Sequence, residues 1–144
     1  MSLEARHALC ERLVFQAESQ RDDLMAPAVT NTDLIALLLE LTNKGWHLEI
    51  TAVRSDHHDD SALGLHCHAN GYCVDLWPLV TGEAGNYYDA GNPHFADFLE
   101  DCAESVWLYQ VGLAGTANTQ ANRAAAGHTV FPDDGADHIH LGAI

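Results

Sequence analysis

Apolar residues along this chain recur at helical spacing in some stretches and alternate with polar residues in others, and the order of these stretches predicts an α+β fold. Leu9, Cys10, Leu13, Val14 and Ala17 form one stripe, which predicts a helix over 2–20. Residues 21–30, with Pro27, read as a connection. A second helix over 32–43 is capped by Thr30 or Asn31 and ended by Gly45. Its Leu34, Ile35, Leu37, Leu38 and Leu41 cover more than one face, so it should be mostly buried. Residues 46–53 predict a strand in which Leu48 and Ile50 alternate with His47, Glu49 and Thr51. A strand over 72–77 sets Tyr72, Val74 and Leu76 on one face and Cys73, Asp75 and Trp77 on the other.

The Gly-rich stretch 78–91 carries Tyr87 and Tyr88, which suit a substrate groove and equally suit surface packing. Asn92 and Pro93 then open a helix to about Val106, with Phe95, Phe98, Leu99, Cys102 and Val106 inside and Asp97, Glu100, Asp101 and Glu104 outside. A strand follows over 107–113. Residues 115–127 have little pattern and read as a mobile wall beside the last strand. Val130, Phe131 and Pro132 return to the core before a turn at Asp133-Asp134-Gly135. In the final strand, 138–143, Ile139 and Leu141 face one side and His138 and His140 the other.

At 144 residues the chain is expected to be one domain, 1–144, too short for a catalytic domain plus a wall-binding module. A net charge of −15 with only six basic residues argues against nucleic acid or an anionic membrane as partner. No charged segment followed by an apolar run opens the sequence, so a cytoplasmic origin is expected, and Leu34 to Leu39 is too short to span a bilayer. Cys10, Cys67, Cys73 and Cys102 then read as reduced thiols, with Cys10 and Cys102 packed on apolar helix faces.

Two stretches carry chemistry. The run 66–78 offers an imidazole at His68 and, seven residues on, a carboxylate at Asp75; the run 137–142 offers His138 and His140. Two neutral imidazoles and one carboxylate are the first shell of a catalytic zinc that leaves its fourth position to water. Imidazoles favour zinc over magnesium or calcium. Gly71 allows a turn or a close approach just after His68. The polar run Arg54-Ser55-Asp56-His57-His58-Asp59-Asp60 reads as a solvated loop rim, with a second metal cluster as the sharper alternative.

The pattern His68-x-x-Gly71-x-Cys73-x-Asp75 resembles the H-x-x-G-x-A-x-D signature of zinc D-alanyl-D-alanine peptidases and L-alanoyl-D-glutamate endolysins, which share their core with the Hedgehog signalling domain. Asp137-x-x-His140 resembles the acid-x-x-His that gives this family its catalytic carboxylate and third zinc ligand, and Ile50 to Ser55 resembles the strand and arginine before the first ligand. The resemblance covers about 31–144, leaving 1–30 as an N-terminal helix and connection. Two positions depart from the pattern: His66 stands where Ser is frequent, and Cys73 where Ala is.

The resemblance implies a small antiparallel sheet packed against helices, with zinc on His68, Asp75 and His140. Asp137 would be the general base, with Asp134 competing for that role. Arg54 would bind a substrate carboxylate or the oxyanion, against an ion pair with Asp56 or Asp59. His138 would donate to the oxyanion or orient a ligand. Zinc-assisted cleavage of an amide in peptidoglycan stem peptides follows, by a phage or prophage lysin acting at the wall after lysis or within a virion. The alternative is a catalytically silent, zinc-stabilised binding or virion structural domain. Scissile bond, endo- or exo-action, host and oligomeric state are left open.

Overall fold

The computed structural model describes residues 2–56, 67–127, 129–133 and 137–144, with the backbone alone for 129–133. Five α-helices and a six-stranded mixed sheet are formed by these residues. Helices α1 (Leu3–Cys10), α2 (Glu18–Met25), α3 (Thr32–Asn43), α4 (Pro93–Glu104) and α5 (Gln120–Ala126) accompany strands β1 (Leu13–Phe15), β2 (His47–Ala52), β3 (Cys73–Leu79), β4 (Leu108–Ala114), β5 (Thr129–Asp133) and β6 (His138–Ala143). The strand order is β1-β2-β3-β6-β4-β5.

The sheet differs from the antiparallel one expected. Its four central strands pair antiparallel, but each edge adds a parallel pair, β1 on β2 and β5 on β4. The expected helix over 2–20 is accordingly broken. Leu13, Val14 and Phe15 leave the helical path to pair with Leu48, Glu49 and Ile50. A new helix then begins, with the Gln20 side chain accepting from the backbone N–H groups of Gln16 and Ala17. The patternless 115–127 also gains structure: a 3₁₀ turn over Gly115–Ala117, then α5, capped by Thr119.

Helix α3 is as the pattern predicted, with Asn31 capping Asp33 N and five leucines and isoleucines at zero exposure. With Val74, Leu76, Ile139 and Leu141 they join one core, into which α4 adds Phe95, Phe98, Leu99 and Cys102. Cys10 and Cys102 are buried, and among the described residues no two cysteines form a disulfide. Asp75 and His140 stand on the other sheet face, and Trp77, two residues after Asp75, packs on Phe95 as part of the same core.

Arg6 ties the N-terminal segment to this framework. Its guanidinium is 1% exposed and donates to the carbonyls of Leu24, Ala26 and Thr30 and to Thr30 Oγ1. Burial holds its pKa below the usual value. Through these bonds Arg6 fixes the α2–α3 connection, whose Asn31 N–H bonds to the Gly71 carbonyl beside the first metal-ligand candidate. Truncation would strand several buried acceptors. Arg6→Met is therefore expected to cost about 3 kcal/mol or more, read from urea unfolding midpoints.

Candidate metal centre

His68 stands on a 3₁₀ turn, His68–Asn70, closed by Gly71 in the left-handed region at φ 75°. Gly71 serves both roles the sequence allowed it. A Cβ there would lie 2.2 Å from the Val29 carbonyl oxygen, so the turn and the close approach each demand glycine. Asp75 sits in β3, and His140 lies directly opposite it in β6. The register thus brings together side chains 65 residues apart in sequence.

Three atoms converge: His68 Nε2, Asp75 Oδ1 and His140 Nδ1. Each pair is separated by 3.2 Å. A tetrahedral zinc with bonds of ~2.0–2.1 Å spaces its ligands about 3.3–3.4 Å apart, so this triangle fits such an ion with little adjustment. His68, Asp75 and His140 are 1%, 4% and 3% exposed, and they form a group able to hold a metal ion.

The surroundings set which ring nitrogen of each histidine faces the triangle. His68 Nδ1 bonds to the Val53 carbonyl, which accepts its proton and leaves the Nε2 lone pair directed at the triangle. Burial, partly opposed by Asp75, lowers the His140 pKa and favours the neutral ring that ligates metals. On its far side, His140 Nε2 lies 3.2 Å from the amide of Gln110. With Nδ1 given to a metal, Nε2 carries the proton, and a half-turn of that amide presents Oε1 as its acceptor. Gly142 makes room for this contact, since a Cβ there would be 2.6 Å from Gln110 Cγ. Gln110→Ala is expected to weaken zinc binding about 10–100-fold with the fold intact, measured by chelator competition.

The remaining sequence candidates stand around this triangle. His138 is partly buried, with Nε2 3.8 Å from Asp75 Oδ2, on the oxygen that does not belong to the triangle. Asp137 is exposed at the start of β6. Its Oδ1 accepts from Thr116 N and its Oδ2 from Thr116 Oγ1, both at 2.9 Å, and these bonds hold its pKa below the usual carboxylate value. Arg54 is exposed too, and its guanidinium donates to the Val29 and Ala28 carbonyls at 3.2 and 3.4 Å. Asp56 accepts from Val53 N and Gln20 Nε2, and Arg54 makes no ion pair with it. Asp134, Asp59, His66 and most of the polar run 54–60 lie outside the described residues.

Sequence reasoning did not find Gln110, the Val53 carbonyl or Glu49. Glu49 is 3% exposed on the ligand-bearing face and accepts from Gln16 Nε2, Gly85 N and the Tyr87 hydroxyl. This last bond pushes the Tyr87 phenol pKa up. The signal for Glu49 was its place on the polar side of an alternating strand; Gln110 gave none until register was known. Burial, reinforced by nearby Cys67 and Asp75, drives the Cys73 thiol pKa well up, which keeps it a neutral neighbour of the site.

Fold and site together define an α+β protein with a buried His-Asp-His group on one sheet face that can hold a metal ion. No protein-family model matches the sequence, and no curated protein or solved structure matches the chain. Among the described residues no helix is long and apolar enough to cross a membrane.

Proposed function

We propose that this chain is a zinc metallopeptidase that hydrolyses an amide bond in peptidoglycan stem peptides, with a fold of the Hedgehog/D-alanyl-D-alanine-peptidase kind. The observation that carries the reading is the 3.2 Å triangle of His68 Nε2, Asp75 Oδ1 and His140 Nδ1. It has the donor set and spacing of a catalytic zinc, with three protein ligands and a fourth position for water or substrate. Zinc held there supplies Lewis acidity, polarising an amide carbonyl and making water acidic near neutral pH. The Val53 carbonyl holds His68 in the ligating tautomer, and Gln110, with its amide turned, would do the same for His140. His138, whose Nε2 lies 3.8 Å from Asp75 Oδ2, would donate to a developing oxyanion. Asp137, at the rim, takes a proton and returns it to the leaving amine once Thr116 releases one of its oxygens. Peptidoglycan as the substrate class rests on the sequence resemblance, which also suggests a phage or prophage lysin.

One observation favours a second reading. Asp137 and Arg54, the two groups that turnover most needs, are both engaged locally, by Thr116 and by the 28–29 backbone. A zinc-stabilised binding or virion structural domain would leave them so. Digesting purified peptidoglycan with zinc-loaded protein and weighing the fragments separates the two. Release of stem-peptide fragments supports the peptidase, and none with a full complement of zinc favours the binding domain.

A further inference from the structure

A single peptide group joins helix α2 to the first metal-ligand candidate. His68 Nδ1 donates to the Val53 carbonyl. That carbonyl shares one planar trans unit with the Arg54 N–H, so the two groups point in opposite directions. On the far side, the Arg54 N–H donates to Asp23 Oδ2 at 3.1 Å. The order is therefore carboxylate, peptide N–H, peptide carbonyl, imidazole, with His68 Nε2 at the end facing the triangle.

Asp23 is 4% exposed and Val53 is wholly buried, so the link runs through protein and is little screened by water. Asp23 Oδ2 also accepts from Ser55 N at 2.8 Å, and Oδ1 accepts from the Ser55 hydroxyl. The Asp23 carbonyl accepts from the Thr30 hydroxyl, which itself accepts from Arg6. Charge-assisted hydrogen bonds are stronger than neutral ones, and hydrogen bonds in series polarise one another at low dielectric. A negative charge at the N–H end thus makes the Val53 carbonyl a better acceptor. A better acceptor draws on the Nδ1 proton and raises the basicity of Nε2, as a carboxylate in direct contact does for a ligating imidazole. Asp56 supplies the contrast. It accepts from Val53 N at 2.9 Å, but that N–H belongs to the peptide of the Ala52 carbonyl, which is off the line to His68.

We propose that Asp23 is a positioning residue of the metal centre, acting on His68 through the Val53–Arg54 peptide and strengthening it as a ligand. The inference rests on reading His68 as a metal ligand. It makes α2, which lies before the stretch that resembles the peptidase family, a working part of the site.

The test compares Asp23→Asn with Asp56→Asn. Asparagine at position 23 can keep every contact, its oxygen facing the Arg54 and Ser55 N–H groups and its amide donating to the Ser55 hydroxyl, so that only the charge is lost. Asp56→Asn removes a charge from the same loop but off the line. In metal-free protein the His68 Nδ1 proton, followed by NMR, is expected to move upfield in Asp23→Asn and to stay in place in Asp56→Asn. Zinc affinity, by chelator competition, should fall about tenfold or more in Asp23→Asn and stay within about twofold in Asp56→Asn. One readout needs no variant: loading wild-type protein with zinc should shift the Arg54 amide proton more than that of Val53. Equal losses of affinity in the two variants, a His68 proton unmoved by Asp23→Asn, or an Arg54 amide that ignores zinc would overturn the proposal and leave Asp23 a loop cap. Wild-type protein that binds no zinc, while its His68 proton still responds to Asp23→Asn, would instead contradict the metal reading and keep the link.

Discussion

His68→Ala is expected to abolish stoichiometric zinc binding and to lower the melting temperature by roughly 10 °C. The side chain is fully buried and supplies one corner of the 3.2 Å triangle, so its loss leaves one imidazole and one carboxylate to hold the ion. Two ligands do not make a stable tetrahedral site. Metal bound only by the folded state at a thousandfold above its Kd stabilises by about 4 kcal/mol, and each kcal/mol moves the midpoint of a domain this size by roughly 2–4 °C. Truncation also leaves the Val53 carbonyl without its donor, a smaller cost that removing the metal from wild-type protein would not incur. Chelated wild type should therefore melt slightly above the variant. Elemental analysis together with calorimetry of both proteins, with and without chelator, separates the two terms.

Asp137→Asn is expected to keep zinc and fold while losing on the order of a hundredfold or more in turnover, the usual worth of a positioned base. The variant retains an acceptor for the Thr116 N–H, so the junction between the 3₁₀ turn and β6 should survive. Thr116→Ala is the informative partner. It removes the bond to Oδ2 and one cause of the lowered pKa, so it should leave the rate within a few fold. Rates on stem-peptide fragments for Asp137→Asn, Asp134→Asn and Thr116→Ala, each with zinc content checked, decide the assignment. A larger loss in Asp134→Asn moves the base to that residue, and full activity in Asp137→Asn removes Asp137 from the reaction.

Much of the fold was legible where local signals agreed. Helix α3 had an Asn cap, an unbroken apolar pattern and a glycine after its end, and its bounds came out as expected. Strand β6 was likewise fixed by strict alternation. The N-terminal stretch misled because Leu9, Cys10 and Leu13 fit a helical stripe as well as they fit a helix followed by an edge strand. Only the pairing with β2, more than thirty residues away, decides between them. Helix α5 was missed for the opposite reason. It buries only Asn122 and Ala126, so it has no stripe, although Thr119 before it and Gly127 after it were readable caps.

The candidate site divides in the same way. His68, Asp75 and His140 were legible because residue type, spacing and order act together, and strand alternation put Asp75 and His140 on side-chain rows that register then joined. The groups that orient them were not legible. A backbone carbonyl such as Val53 has no sequence signature, and Gln110 reaches His140 only because Gly142 leaves space between neighbouring strands. The local engagement of Arg54 and Asp137 is equally tertiary, since their partners are 21 to 26 residues away in sequence.

The most direct measurement is zinc-edge X-ray absorption on protein holding one zinc per chain. The expected first shell is four nitrogen or oxygen neighbours at ~2.0–2.1 Å, with the outer-shell pattern of two imidazoles and no sulfur. Cys67 and Cys73 are buried close to the triangle, which makes sulfur the telling alternative. A scatterer at about 2.3 Å, or a six-oxygen shell from loosely held metal, would contradict the His68-Asp75-His140 centre.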